Sequence, residues 1–306
     1  MSVADIPPIP LSLVDSDLAA AAAAFGDAFA RTGFAVVCDH GISQALIDRA
    51  LAATKALFAL PETDKAAYVI DGGGGQRGMT AFGVEAAKGA ARSDLKEFWH
   101  VGRDLPAGHR LSCMMPANIW PREVADFEAS VRELYTALDA TGVRLLRAIA
   151  VHLGLATDFF AEPVRDGNSI LRLLHYPPVA PGADAIRAEA HEDINVITLL
   201  LGAEEAGLQL LDRSGAWHDI AAPAGSLVCN IGDMLQRLTG GRLPSTTHRV
   251  VNPAPDRAGV PRYSMPFFLH FRPDYRIDTM PGGPCDWPPI TADGFLQERL
   301  REIKLL

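Results

Sequence analysis

The sequence predicts a mainly β protein with flanking helices, its strands closed into a sandwich or barrel. Three observations carry that prediction. From Ser169 onward, short apolar and β-branched runs alternate with Gly, Pro and Asp turns. Before that point the periodicity is helical, with Leu134, Leu138, Leu145, Ile149 and His152 on one side of a helix from about Glu123 to His152. Of the 306 residues, 48% are hydrophobic and 21% charged, which is enough apolar surface for a real core.

Taken in order, the chain opens with an extended proline-rich lead, after which Asp15 and Ser16 are placed to cap a helix through Arg31. Residues 33–42 read as a buried strand between Gly33 and Gly41. A second helix is predicted from Ser43, as N-cap, to Leu60, and a short one from Pro61 to Lys65. Asp71 to Gln76 holds four glycines, Gly72 to Gly75, without the lysine or helix start of a phosphate loop; it reads as a flexible connection or lid. Gly154 is placed to end the long helix. Strands follow at 169–176, 194–201, 207–212, 216–220, 226–232, 247–252 and 262–271, with Asp212 to Gly215 as a hairpin turn. Thr291 to Leu306 forms a last amphipathic helix with Phe295, Leu296, Leu300 and Ile303 on its apolar side.

Composition excludes several function classes. The net charge of −9 opposes nucleic-acid phosphates, so no nucleic-acid partner is expected. No apolar run is long enough to cross a bilayer and no signal peptide is visible, so neither a membrane partner nor export is expected. Cys38, Cys113, Cys229 and Cys285 form no CxxC pair and fit reduced thiols in a cytoplasmic protein.

Three short, distant segments carry the chemistry. His191 and Asp193 stand two residues apart, so on one strand both would lean from the same face, about 6.5 Å apart. His248, on a later strand, closes a triangle if that strand lies beside the first. Two imidazoles and one carboxylate are the ligand set of non-haem Fe(II) oxygenases, which leave metal positions open. Arg262 and Ser264, again two apart, supply a guanidinium and a hydroxyl suited to a carboxylate. Each piece alone is a weak pointer: a histidine in an apolar strand is ordinarily core, and Arg-x-Ser ordinarily a solvated face. Their order and spacing give them weight. The zinc-peptidase pattern His-Glu-x-x-His fails here, because Asn195 stands where its second histidine would be and the segment is strand-like.

With His-x-Asp at His191 and Asp193, His248-Arg249-Val250, and Arg262-x-Ser264, the sequence resembles the isopenicillin N synthase-like family of 2-oxoglutarate/Fe(II) dioxygenases, most closely its bacterial branch. The likeness covers most of the chain, including residues 33–42, Asp94 to Glu97, Tyr176-Pro177-Pro178 and Asn230 to Asp233. It implies a double-stranded β-helix, or jelly roll, at 169–276. An N-terminal dioxygenase region at 1–115, a joining helix region at 116–168 and a C-terminal segment and helix at 277–306 would surround it. It implies Fe(II) on His191, Asp193 and His248, and 2-oxoglutarate on Arg262, Ser264 and Tyr176. The reaction implied is O2-dependent oxidation of a small-molecule C–H bond with release of succinate and CO2, ascorbate serving as reductant. Leu174 stands where some plant members carry asparagine. Arg172 is a candidate second cation near the co-substrate, against a surface salt bridge. Phe268 is expected as an apolar wall, His270 as a pocket or core histidine, and Glu85 as a substrate-mouth acid or a solvated loop acid. An Fe(II) oxidase of this fold that does without 2-oxoglutarate, a non-catalytic binding protein and a zinc hydrolase stay open as alternatives, as does the oligomeric state.

Overall fold

The computed structural model describes residues 2–85, 93–179, 186–201 and 207–302. The strands of its two main sheets, in chain order, are β1 (Ser2–Val3), β2 (Pro8–Pro10), β3 (Phe34–Cys38), β4 (Gly78–Thr80), β5 (Glu97–Gly102), β6 (Ile170–Tyr176), β7 (Ala188–His191), β8 (Ile197–Leu201), β9 (Leu208–Leu211), β10 (Trp217–Asp219), β11 (Leu227–Ile231), β12 (His248–Val250), β13 (Arg262–Ser264) and β14 (Pro266–Leu269). The larger sheet runs β2-β3-β11-β8-β14-β6-β5-β4, with β13 also paired to β6; the smaller runs β1-β10-β9-β12-β7.

Period-two alternation decides how these strands are used. On the large sheet one set of positions, including Ala35, Trp99, Leu171, Leu173, Leu199, Cys229 and Phe267, joins the main core with the helices. The alternate set faces the small sheet: Phe34, Val36 and Val228 pack with Leu210, and Phe98, Leu174 and Tyr176 pack with Ala188 and Val250. Each fully buried Leu or Phe contributes roughly 1.5–3 kcal/mol, so the large sheet is held from both sides. Two sheets facing each other in this way, with helices outside, form the double-stranded β-helix core.

The helix Leu18–Thr32 is capped by Asp17, whose carboxylate accepts from the Ala20 N–H at 3.0 Å. The sequence pattern puts Asp15 and Ser16 in that role, but they belong to a separate short helix, Leu13–Ser16. The helix Gln44–Phe58 starts at Ser43 as expected, with Oγ accepting from Leu46 N–H at 3.3 Å. The long helix Phe127–His152 begins later than its apolar pattern suggests and buries Leu134, Leu138, Leu145 and Ile149. At Gly142 it lies so close to the large sheet that a Cβ there would run into Leu269 Cδ1. Asp212 to Gly215 forms the hairpin turn between β9 and β10, closed by Asp212 N–H to Ala216 O at 2.9 Å. The last helix, Ala292–Glu302, buries Phe295, Leu296 and Leu300, while Ile303 lies outside the described residues. Among the described residues no helix is long and apolar enough to cross a membrane.

Candidate active site

His191 and Asp193 do not share a strand, and this corrects the sequence-based geometry. His191 ends β7 in the small sheet, while Asp193 lies in the turn that leads to β8 in the large one. The pair spans the corner between the sheets. β12 lies beside β7 with His248 directly opposite His191, so the second histidine arrives where the spacing required it.

The three side chains converge. A nitrogen of each histidine and a carboxylate oxygen of Asp193 all lie within 4.8 Å of one another. Asp193 Oδ1 is 3.8 Å from Nε2 of both His191 and His248. On the far side of each ring Nδ1 is engaged by backbone, His191 with Glu189 O at 2.7 Å and His248 with Thr246 O at 3.1 Å. Those bonds leave both Nε2 lone pairs for the centre. Asp193 Oδ2 accepts from Thr198 Oγ at 2.5 Å and from Asn230 Nδ2 at 2.8 Å. Burial first, and then the charge of His248, push His191 down to about 4. Burial pushes the Asp193 carboxyl up, but His248, His191 and the bonds from Asn230 and Thr198 outweigh it and hold it low. A divalent metal takes imidazole nitrogen lone pairs and a carboxylate oxygen, and both Nε2 atoms face Asp193 Oδ1 here, so the donor set fits Fe(II).

Two cavities meet at this point. The smaller, about 70 Å³, is lined by His248, Asn230, Leu174, Tyr176, Arg262 and Ser264 among others. Arg262 on β13 faces Tyr176 on β6, its guanidinium 5.1 Å from the phenol ring, and donates to Ser264 Oγ at 3.2 Å. Only 2% of Arg262 is exposed, so a guanidinium and a hydroxyl stand together out of bulk water. The larger cavity, about 380 Å³, has walls from Gly74 to Gln76, Ile170, His270 and the last helix at Leu296, Arg299 and Leu300. Lys96, Arg172, His191, Asp193 and Phe268 line both.

Arg172 is not a surface salt bridge. Its guanidinium stacks on Phe98 at 4.2 Å and lies 5.2 Å from Phe268. It grips Glu85 through two bonds, at 3.1 and 3.2 Å, and donates from Nε to His100 Nε2 at 2.6 Å. Glu85 is therefore not a solvated loop acid: it is buried, and Lys96 Nζ also reaches it at 2.6 Å. Burial raises the Glu85 carboxyl, but Arg172 and Lys96 outweigh it and hold it far below the carboxylate range. His270 is both buried and a cavity wall, so its two expected roles coincide. Sequence reasoning missed Lys96, Thr198 and Asn230 as site residues. Thr198 and Asn230 had a signal, being polar residues at inward positions of otherwise apolar strands.

Comparison with known proteins agrees with this geometry. Residues 6–123 match the N-terminal region of non-haem dioxygenases described for morphine synthesis, and residues 167–271 match the 2OG-Fe(II) oxygenase superfamily. A 2-oxoglutarate-Fe(II) type oxidoreductase of Emericella nidulans is 32% identical over 283 residues, covering 87% of this chain and 79% of the relative. The chain belongs to the 2-oxoglutarate/Fe(II) oxygenase superfamily. Within it the type is isopenicillin N synthase-like, as the resemblance implied. A 2OG-Fe(II) oxygenase family protein from Caulobacter crescentus has the same fold with a TM-score of 0.91 and 54% identity, covering 98% of this chain and 100% of that one. A full-length Neurospora crassa protein, crystallised with α-ketoglutarate and thymine, superposes with a TM-score of 0.85 at 27% identity, covering 97% of this chain and 96% of that one. This dioxygenase is thus an oxidoreductase that uses Fe(II), 2-oxoglutarate and O2 to oxidise a small molecule.

Proposed function

We propose that His191, Asp193 and His248 hold the Fe(II), that Arg262, Ser264 and Tyr176 hold the far carboxylate of 2-oxoglutarate in the small cavity, and that the large cavity presents a C–H bond of the substrate to the metal. The observation that carries this reading is the meeting of three donor atoms within 4.8 Å at the junction of two cavities, one of them floored by a buried Arg-Ser pair. Bound together, metal, co-substrate and O2 supply an oxidant able to take hydrogen from carbon, with succinate and CO2 as by-products. The chain's own work is placement. Thr198 and Asn230 fix which Asp193 oxygen faces the metal. Arg262 matches a carboxylate in shape as well as charge. Phe268 at the junction and Ile170 in the larger cavity supply apolar wall near the metal site, which limits water and unproductive turnover.

The substrate is proposed to be a small molecule rather than a polymer, since the large cavity has a volume of about 380 Å³. Small heterocycles are the first compounds to screen, as the Neurospora neighbour was crystallised with thymine. The test is anaerobic loading with Fe(II), then O2 uptake with and without 2-oxoglutarate. Uptake should require 2-oxoglutarate, yield succinate in equal amount and vanish in Asp193→Ala. Uptake without 2-oxoglutarate would instead mark an oxidase that draws electrons from its own substrate.

A further inference from the structure

Lys96 lies where the two cavities join, yet neither the metal triad nor the Arg262-Ser264 pair involves it. Its ammonium is buried, 6% exposed, and held by Glu85 at 2.6 Å and Asp94 at 2.7 Å. Asp94 is itself fixed by the Glu189 N–H at 3.1 Å, and Glu85 by both arms of Arg172. An ammonium has three donors, and two are spent on these carboxylates. Lys96 lines both cavities together with His191 and Asp193.

We propose that Lys96 is a second carboxylate-binding residue of this dioxygenase, its third N–H donating to the metal-side carboxylate of 2-oxoglutarate while Glu85 and Asp94 act as positioning residues. Arg172 commits three of its five N–H donors to Glu85 and His100. The four charges Lys96, Arg172, Glu85 and Asp94 sum to zero. The cluster therefore offers a directed donor rather than a net field, and its effect is that of one hydrogen bond to a charged group. The inference rests on the co-substrate assignment proposed above.

The experiment titrates 2-oxoglutarate into the Mn(II)-loaded, O2-free protein by calorimetry, beside Mn(II) affinity and thermal unfolding. Lys96→Met should weaken 2-oxoglutarate ~10–100-fold and retain Mn(II). The double variant Glu85→Gln/Lys96→Met, which removes one charge of each sign and so guards against misfolding, should show the same loss. Glu85→Gln alone should lose less than about threefold, because Asp94 still holds the ammonium. A folded double variant that binds 2-oxoglutarate like the wild type overturns the proposal, and so does a Glu85→Gln variant that reproduces the whole loss. If Arg262→Met loses 2-oxoglutarate and the Lys96 variants do not, the proposed function stands and this inference alone falls. If the wild-type chain binds none, the proposed function falls first.

Discussion

On the inner face of the large sheet, Arg172 and Tyr176 of β6, Thr198 of β8, Asn230 of β11 and Phe268 of β14 stand at alternating positions on paired strands. Across the mouth of the large cavity, the walls are Gly74 to Gln76 of a glycine-rich loop, Glu85 of a short connection, and Leu296, Arg299 and Leu300 of the last helix. The floor is tied strand to strand by backbone bonds and packed on both faces. The mouth is assembled from segments far apart in sequence, joined by contacts such as Glu85 with Arg172 and the Gly75 carbonyl with His100. Chemistry shared across a family belongs on the first kind of structure, and selectivity that differs between members belongs on the second. The contrast makes a demand: changes to the floor should damage binding of metal or co-substrate for every substrate, while changes to the mouth should alter which substrate is used.

The largest floor effect is expected at Arg262. Replacing it with Met leaves a carboxylate facing a buried apolar wall, a change of roughly 2–5 kcal/mol, so the 2-oxoglutarate Kd should rise on the order of 30–5000-fold with metal binding retained. Calorimetry on Mn(II)-loaded protein reads both. An unchanged 2-oxoglutarate Kd would remove Arg262 from the floor. Next come Thr198→Val and Asn230→Leu, which free Asp193 Oδ2. Metal affinity should fall roughly 10–100-fold for each, measured by competition with a chelator. If either variant instead shifted only the substrate preference, the division between floor and mouth would fail.

At the mouth, Leu300→Ala opens the wall supplied by the last helix. The KM for the preferred substrate should rise roughly 10–100-fold, the range expected when apolar carbons leave a pocket. Binding of 2-oxoglutarate should stay within about twofold, because the far end of the site is untouched. A parallel loss of 2-oxoglutarate binding would show that the helix supports the floor as well, and the comparison would need redrawing.

This division also explains what could be read in the chain. The floor is written in local rules: His191 and Asp193 two apart, Arg262 and Ser264 two apart, and polar residues interrupting apolar strands at the period of the sheet. The strand Ala188–His191 escaped notice because it is four residues long, only Ala188 in it is buried, and no apolar run marks it. Its absence from the reading put His191 and Asp193 on one strand when they turn a corner between two sheets. The mouth was hardly legible. Glu85 meets Arg172 and Lys96 across loops that carry no period, and Leu296 and Leu300 read as an ordinary apolar helix face whether they cover core or cavity. Contacts made by side chains over long separations leave no local pattern.

His270 gives the smallest and most specific test, because it belongs to both regions: it follows β14 on the sheet side and lines the large cavity. Burial pushes its pKa from the ordinary 6.5 down to about 4, with Nδ1 engaged by Phe268 O at 3.0 Å. Between these values the unfolded chain binds a proton that the folded chain refuses. The stability His270 contributes is therefore fully present above about pH 6.5 and is lost as pH falls toward 4, at up to about 1.4 kcal/mol per pH unit. In urea unfolding of metal-free protein, the loss of stability from pH 7 to pH 5 should be smaller in His270→Gln than in the wild type, by on the order of 1–2 kcal/mol. Chelation matters here, because bound metal would couple the acid limb to His191 and His248. If the two acid limbs coincide, His270 takes up its proton in the folded state at an ordinary pH. The sheet-side wall beneath the large cavity would then be open to water, and the rigid floor would end at Phe268.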